Sequence, residues 1–356
     1  MQLGLVGLAN AGKTALFSLI TGDDAEVAPY PYSTTEPARG AADVPDPRLD
    51  AIADAQDIPR RVPAQVQVVD IAGLAAGGLE SPGRSALAQL REMDALVHVV
   101  RQFANAEVPH PLERIDPAAD AEAVDLELMA ADREQVERRL ERLAKAARGG
   151  DADAAREQTA LEGVVEALDS GTPVRAVDDE DAQAAAAEMG LLTAKPVLYL
   201  ANTDEGEEPD PALVAHAESQ KAQALAVAVE VERELAQLDP EEAAELAAEL
   251  ELGEQRGAEA LVAAMYRLLD LVTFFTGSGP PEARAWPIPR GTDAPGAAGK
   301  IHTDMERGFI RAEVIQWDDL VEAGSFSAAR EDAKVRLEGK DYIVAEGDVL
   351  QIRHST

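Results

Sequence analysis

The sequence predicts an α/β fold with a mainly parallel sheet, interrupted by an inserted helical hairpin and followed by a small β-rich domain. Three observations predict it. A short apolar strand runs into a glycine loop and a helix at the start of the chain. A long stretch with heptad spacing separates two groups of apolar strands. Beyond about Leu271 the chain alternates apolar and polar residues and is punctuated by Gly and Pro. With 356 residues there is material for two or three domains. The expected boundaries are 1–115 with 191–271 for the α/β domain, 116–190 for the hairpin and 272–356 for the last domain.

The first element is "MQLGLVGLANAGKTALFSLITG". Leu3, Leu5 and Val6 form the strand, Gly7 to Thr14 reads G-x-x-x-x-G-K-T, and Ala15, Leu16, Leu19 and Ile20 continue at helical spacing. Glycines let backbone N–H groups converge on phosphates, and the helix N-terminus adds partial positive charge. Asn10, Ala11, Gly12, Lys13, Thr14 and Ala15 are the expected phosphate-cradling positions. Lys13 is placed to reach the β- and γ-phosphates, and the Thr14 hydroxyl to ligate Mg²⁺.

The next strand, "AQVQVVDIAG", ends at Asp70 with Gly73 three residues on. In this position D-x-x-G offers a carboxylate to the Mg²⁺ shell and a glycine N–H to the γ-phosphate. D-x-x-G is a weak signal alone and a strong one behind a phosphate loop. Between them, "YPYSTTEP" offers three adjacent hydroxyls, Ser33, Thr34 and Thr35, and chemistry leaves open which of them completes the shell. A later strand, "PVLYLANTDEG", ends at Asn202, followed by Thr203 and Glu205. GTP-binding proteins carry N-K-x-D at such a strand end; here the lysine is absent and the acid is a glutamate.

In the insertion, Leu126, Met129, Arg133, Val136, Leu140, Leu143 and Ala147 alternate at spacings of three and four. "ARGGDADA" breaks the pattern, and Ala154, Gln158, Leu161, Val165 and Leu168 resume it, which predicts an antiparallel helical hairpin. Its arm "REQVERRLERLAKAARGG" is among the few locally basic stretches.

The whole chain carries 67 acidic against 32 basic residues, a formal charge of −35, which argues against general nucleic-acid affinity. Adaptation to a salt-rich medium, where the Debye length falls to roughly 3 Å at 1 M, and the drift of a GC-rich genome explain it equally well. No cysteine is present, so neither disulfides nor thiolate metal sites arise. The five histidines show no ligand spacing. With no apolar run of membrane-spanning length and no signal-peptide pattern, a cytoplasmic protein without a membrane partner is expected.

"GLVGLANAGKT", "YPYSTTEPARG", "VPDPRLDAIA", "VVDIAGL", "HVVRQF", "LANTDEG", "RAWPIP" and "GKIHTDMERGFIRAEVI" stand in this order along nearly the whole chain. With these landmarks it resembles the Obg-like ATPases of the YchF type, within the translation-factor-related P-loop GTPases. The resemblance selects Thr34 among the three hydroxyls as a Mg²⁺ ligand. It implies that N-x-x-E reads adenine and that ATP is the substrate. Physics agrees, since the longer Glu205 displaces the carboxylate that guanine needs and leaves polar groups unpaired at about 1–3 kcal/mol each. Asn202 can still meet a purine N7 and amino edge. Thr203 lacks the stem that a lysine lays over the base.

Leu74 stands where many GTPases place a water-orienting glutamine. The resemblance implies that a histidine takes over, and the matching position is His110 in "NAEVPHPLERIDP". His98 in "ALVHVVRQF" competes, although an apolar strand around it reads as packed core. The tail resembles the TGS domain, a ubiquitin-like β-grasp module, which implies a ribosome contact, through the large subunit, and possible RNA contact by the hairpin and by Lys300, His302, Arg307 and Arg311. The expected whole is a monomeric, Mg²⁺-dependent ATPase switch at the ribosome. An Obg-class GTPase and a nucleotide-sensing module with negligible hydrolysis are the alternatives. Two departures stand out: switch II reads "LAAGGLESPGRSALAQL" without the family's Gly-Leu-Gly-Asn ending, and "VLQIRHST" replaces an aromatic-rich C-terminus.

Overall fold

Strands whose residues are apolar on both faces need cover on both sides, and the central strands here are of that kind. The computed structural model describes residues 1–22, 37–71, 81–250, 257–277 and 282–355. The chain opens with β1 (Gln2–Val6), α1 (Lys13–Thr21), β2 (Ala38–Val44), α2 (Pro47–Ala55), β3 (Arg60–Val62) and β4 (Ala64–Asp70). There follow α3 (Ser81–Arg91), β5 (Ala95–Arg101), α4 (Pro117–Arg148), α5 (Ala152–Asp169) and α6 (Glu180–Glu188). Next come β6 (Val197–Asn202), α7 (Pro211–Ser219), β7 (Gln223–Val227), α8 (Val229–Gln237), α9 (Pro240–Glu249) and α10 (Gly257–Leu268). The tail holds β8 (Leu271–Thr276), β9 (Glu282–Pro289), α11 (Ala294–Ile301), α12 (Thr303–Arg307) and β10 (Phe309–Gln316). It ends with α13 (Trp317–Ala323), α14 (Phe326–Glu331), β11 (Arg336–Glu338) and β12 (Asp348–His354).

Two compact units result: residues 1–42 with 67–261, and 43–66 with 262–356. The first holds a six-stranded sheet in the order β2-β4-β1-β5-β6-β7. β1 pairs in parallel with β4 and β5, β5 with β6, and β6 with β7. Every residue of β5 and β6 is buried. Leu90 of α3, Val124 and Leu128 of α4 and Leu213 of α7 close a core over Val69, Leu96 and Tyr199. The carboxyl ends of β1, β4, β5 and β6 therefore gather the phosphate loop, Asp70, the loop after Arg101 and Asn202, where α/β folds place ligands.

α4 and α5 form the expected antiparallel hairpin: Arg133 pairs with Asp169 near its base, and Arg139 with Glu157 further out. The seam differs in detail from the heptad reading. Met129, Val136, Leu143, Ala154, Leu161 and Leu168 are buried in it, but Val164 replaces Val165 as the fully buried position. Leu126 is 52% exposed, because the first half of α4 turns Val124, Asp125 and Leu128 toward the sheet instead.

The second unit is a sheet in the order β11-β10-β12-β8-β9-β3, with β8 and β12 parallel at its centre and β8–β9 and β10–β12 antiparallel. Leaving β3 aside, a first hairpin, a helix and a last strand returning beside the first is the β-grasp order. Phe274, Ile288, Ala297, Phe309, Val314 and Leu350 fill its core. The sequence boundary put "VPDPRLDAIA" in the first domain, whereas residues 43–66 group with the C-terminal unit. β3 extends that sheet beside β9, Arg48 of α2 pairs with Glu346 at 2.5 Å, and Gln56 donates to the Gly324 carbonyl at 3.1 Å.

Candidate functional site

The phosphate loop leaves β1 at Gly7, where φ is +150° and an added Cβ would lie 2.2 Å from the Val99 carbonyl of β5. No side chain fits there, so the loop lies directly on the neighbouring strand. Lys13 is buried at 7% exposure and donates to the carbonyls of Gly7, at 3.2 Å, and Leu8, at 2.8 Å. Burial pulls its pKa down to about 8, against the opposing pull of Asp70. An ammonium so short of water gains strongly from an incoming phosphate.

Thr14, the next residue, donates its hydroxyl to Asp70 Oδ2 at 2.6 Å. Burial pushes the Asp70 carboxyl up, opposed by the Thr14 hydrogen bond and by Lys13. A hydroxyl and a carboxylate side by side are hard oxygen donors, the chemistry Mg²⁺ selects. Among the described residues no group of three or more His, Cys, Asp or Glu could form a metal cage.

The end of β6 closes on the phosphate loop. Asn202 is buried; its Nδ2 donates to the Ala11 carbonyl at 3.1 Å and its Oδ1 accepts from the Val229 N–H at 3.4 Å. The second N–H of that amide is free of this bond and can meet a purine ring nitrogen. Thr203 is buried and its N–H donates to the Val227 carbonyl at 3.1 Å, while Glu205 is exposed. Asp204, which the sequence did not single out, accepts from the Ala104 N–H at 3.0 Å and so ties the base loop to the segment after β5.

That segment carries His110. Arg101 donates to the carbonyls of Phe103, Asn105 and Val108 at 3.3, 3.0 and 2.9 Å, and its guanidinium lies over the Phe103 ring. Asn10 of the phosphate loop donates to the Pro109 carbonyl at 2.9 Å, so His110 follows a residue tied to the nucleotide loop. The imidazole is held on both sides: Nδ1 accepts from the Leu112 N–H at 3.1 Å, and Nε2 meets Asp120 Oδ2 at 2.6 Å. His98 is 1% exposed in the middle of β5, its ring 5.2 Å from that of Tyr199, and burial lowers its pKa to about 4. It is a core residue.

Asn10 to Ala15, Asp70, Asn202 and Thr203 thus gather at the strand ends, and His110 lies on the segment that Asn10 ties to them. Thr34, Gly73 and Leu74 lie outside the described residues, as do Ser33, Thr35, Gly77 and Gly78. Gly83, within the stretch read as switch II, is part of helix α3.

A family model for 50S ribosome-binding GTPases matches residues 2–145, and one for the C-terminal domain of YchF-type GTPases, described as a protein of unknown function, matches 271–355. The chain is 43% identical to the ribosome-binding ATPase YchF of Pasteurella multocida over 359 residues, 99% of this chain and 98% of that one. It is 41% identical to the protein of that name from Bacillus subtilis over 363 residues, 99% of each. The solved structure of the Schizosaccharomyces pombe YchF GTPase superposes with a TM-score of 0.86 at 33% identity, covering 99% of this chain and 97% of that one. These names disagree on the nucleotide, two naming an ATPase and one a GTPase.

Proposed function

The chain belongs to the YchF family, and on that premise we propose that it is a Mg²⁺-dependent P-loop ATPase whose nucleotide state governs its association with the ribosome. The observation that carries the nucleotide half is a run of contacts through the site. Asp70 holds Thr14, and Thr14 follows Gly12 and Lys13 in a loop that Asn202 holds from its other side. Thr14, Asp70 and the undescribed Thr34 would hold Mg²⁺, which when bound neutralises charge on the phosphates. Lys13 exchanges two backbone carbonyls for phosphate oxygens. Asn202 offers its free N–H to the purine, and Glu205 stands where a guanine-reading aspartate would be. ATP is therefore the preferred substrate, and GTP a weaker one.

Ribosome association rests on the relatives' names and on the match to a 50S ribosome-binding model, which favours the large subunit. The acidic chain must approach RNA through local positive patches. Within the hairpin arm Arg133, Arg138 and Arg139 are neutralised by Asp169 and Glu137, by Glu134 and by Glu157. Among the described residues, Arg142, Lys145 and Arg148 near the hairpin tip have no ion pair. Neither do Lys300, Arg307 and Arg311 of the C-terminal unit, and these two groups are the proposed docking surfaces. One copy of the chain supplies both phosphate and base contacts, so a monomer suffices.

The engagement of both His110 nitrogens supports a second reading, a nucleotide-sensing module with negligible turnover. One set of assays separates the two. Lys13→Ala is expected to abolish binding of an ATP analogue, and His110→Ala to spare binding while lowering turnover. A parent with no measurable turnover, with or without ribosomes, would favour the sensing module.

A further inference from the structure

The water-orienting role of His110 leaves open what decides which of its nitrogens takes a proton. A nitrogen that accepts an N–H carries no proton, so the Leu112 contact makes Nδ1 the bare nitrogen of a neutral ring. The proton then sits on Nε2, 2.6 Å from Asp120 Oδ2. Both side chains are almost fully withdrawn from water, at 6% and 4% exposure. We propose that Asp120 is the positioning residue for His110 in ATP hydrolysis, fixing the Nε2–H tautomer and leaving Nδ1 to take the proton of the attacking water. This rests on the assignment of His110 as the water-orienting group.

The two contacts differ in strength and in support, and the difference decides which one opens. Nε2–H to a carboxylate is short and charge-assisted, roughly twice as strong as a neutral bond of the Leu112 kind. Asp120 sits in the first turn of α4, a helix of 32 residues, with its N–H on the Asp116 carbonyl at 2.9 Å. Leu112 belongs to the same loop as His110. A small shift of that loop, which Asn10 joins to the phosphate loop, frees Nδ1 and leaves the Asp120 bond in place.

The chemistry then balances. Water gives one proton to Nδ1 as its oxygen bonds to the γ-phosphorus. The bond from that phosphorus to the bridging oxygen breaks, and its electron pair leaves with ADP. The imidazolium keeps Nε2–H on Asp120 and later returns the other proton to phosphate or solvent. Asp120 Oδ1 is buried without a hydrogen bond, and Arg114 stands 3.6 Å from it. Burial pushes the Asp120 carboxyl up, against the pull of His110 and Arg114. The other charged groups around the pair are Asp116 and Arg101, and His98 lines the same small cavity.

The test compares full-length Asp120→Asn, Asp120→Glu and His110→Ala with the parent. It measures turnover, affinity for an ATP analogue, and the ¹⁵N shifts of the His110 ring. Expected for Asp120→Asn is a fall in kcat of about tenfold or more at nearly unchanged affinity. Its ¹⁵N shifts should show mixed tautomers of the ring, because an amide at 120 can donate to Nε2 as well as accept from it. Asp120→Glu should recover part of the rate. Parental kcat and tautomer in Asp120→Asn, with His110→Ala inactive, would overturn the positioning role alone. Parental turnover in His110→Ala would remove the assignment beneath it. If Asp120→Asn does not fold, the parent's ring decides: a proton found on Nδ1 overturns the proposal.

Discussion

Asn202 Nδ2 lies 3.1 Å from the Ala11 carbonyl, and a Cβ added to Gly12 would lie 2.2 Å from that same nitrogen. The end of β6 and the phosphate loop are thus locked together at one amide. Gly12 also has φ of +96°, which L side chains rarely adopt. Gly12→Ala must displace Asn202 as well as strain the loop. Its affinity for an ATP analogue is expected to fall by at least about tenfold, and that of Asn202→Ala similarly, with circular dichroism unchanged. Parental affinity in Gly12→Ala would show that the two act independently.

His98 provides a pH prediction. Its folded pKa, near 4, lies below the ordinary 6.5 because burial disfavours the cation; Asp125 pulls the other way. Between those values the unfolded chain binds more protons, so stability is full above pH 6.5 and lost as pH falls toward 4. The parent should lose up to about 3 kcal/mol more than His98→Gln between pH 7 and pH 4. Urea unfolding of both at the two pH values checks this; equal losses would mean that His98 does not titrate with unfolding.

The phosphate loop, Asp70 and Asn202 were legible because each follows an apolar strand whose burial forces its end to the same edge of a parallel sheet. Asp120 was not. Its chemistry depends on a residue ten positions back in an irregular loop, and a helix-starting aspartate is ordinarily a sign of local charge preference alone. Arg101 reads in sequence as the charged end of a strand, yet it is buried and organises the His110 loop. The grouping of residues 43–66 with the C-terminal unit is hidden for a related reason: a three-residue strand and one short helix show amphipathic pattern but not which sheet they join. The hairpin's existence was legible from its period, whereas the rotation of its first turns was set by the sheet beneath it.

At −35 the chain repels itself, and added salt screens that repulsion. Thermal stability should rise between dilute buffer and molar salt, and ribosome co-sedimentation should survive the change, unlike that of an ordinary basic RNA-binding protein. Reversing the charge of Arg142, Lys145 and Arg148, together with Lys300, Arg307 and Arg311, should abolish co-sedimentation while leaving ATP affinity intact. Stability that falls with salt would remove the salt-adaptation account, and docking unaffected by the reversals would remove both surfaces.

Restoring the guanine-reading pair tests the base loop. Thr203→Lys together with Glu205→Asp is expected to move preference toward GTP by about tenfold or more, measured as the ratio of GTP to ATP analogue affinities. Thr203 is buried, so Thr203→Ser with Glu205→Asp serves as a smaller change at the same sites. An unchanged ratio in both would mean that the base is read elsewhere.

Calorimetric titration of the unmodified protein with non-hydrolysable ATP and GTP analogues, in Mg²⁺ at low and at high salt, tests the central claim most directly. The ATP analogue should bind more tightly at both salt concentrations, and Lys13→Ala should bind neither. A GTP analogue bound tenfold more tightly than its ATP counterpart would contradict the assignment.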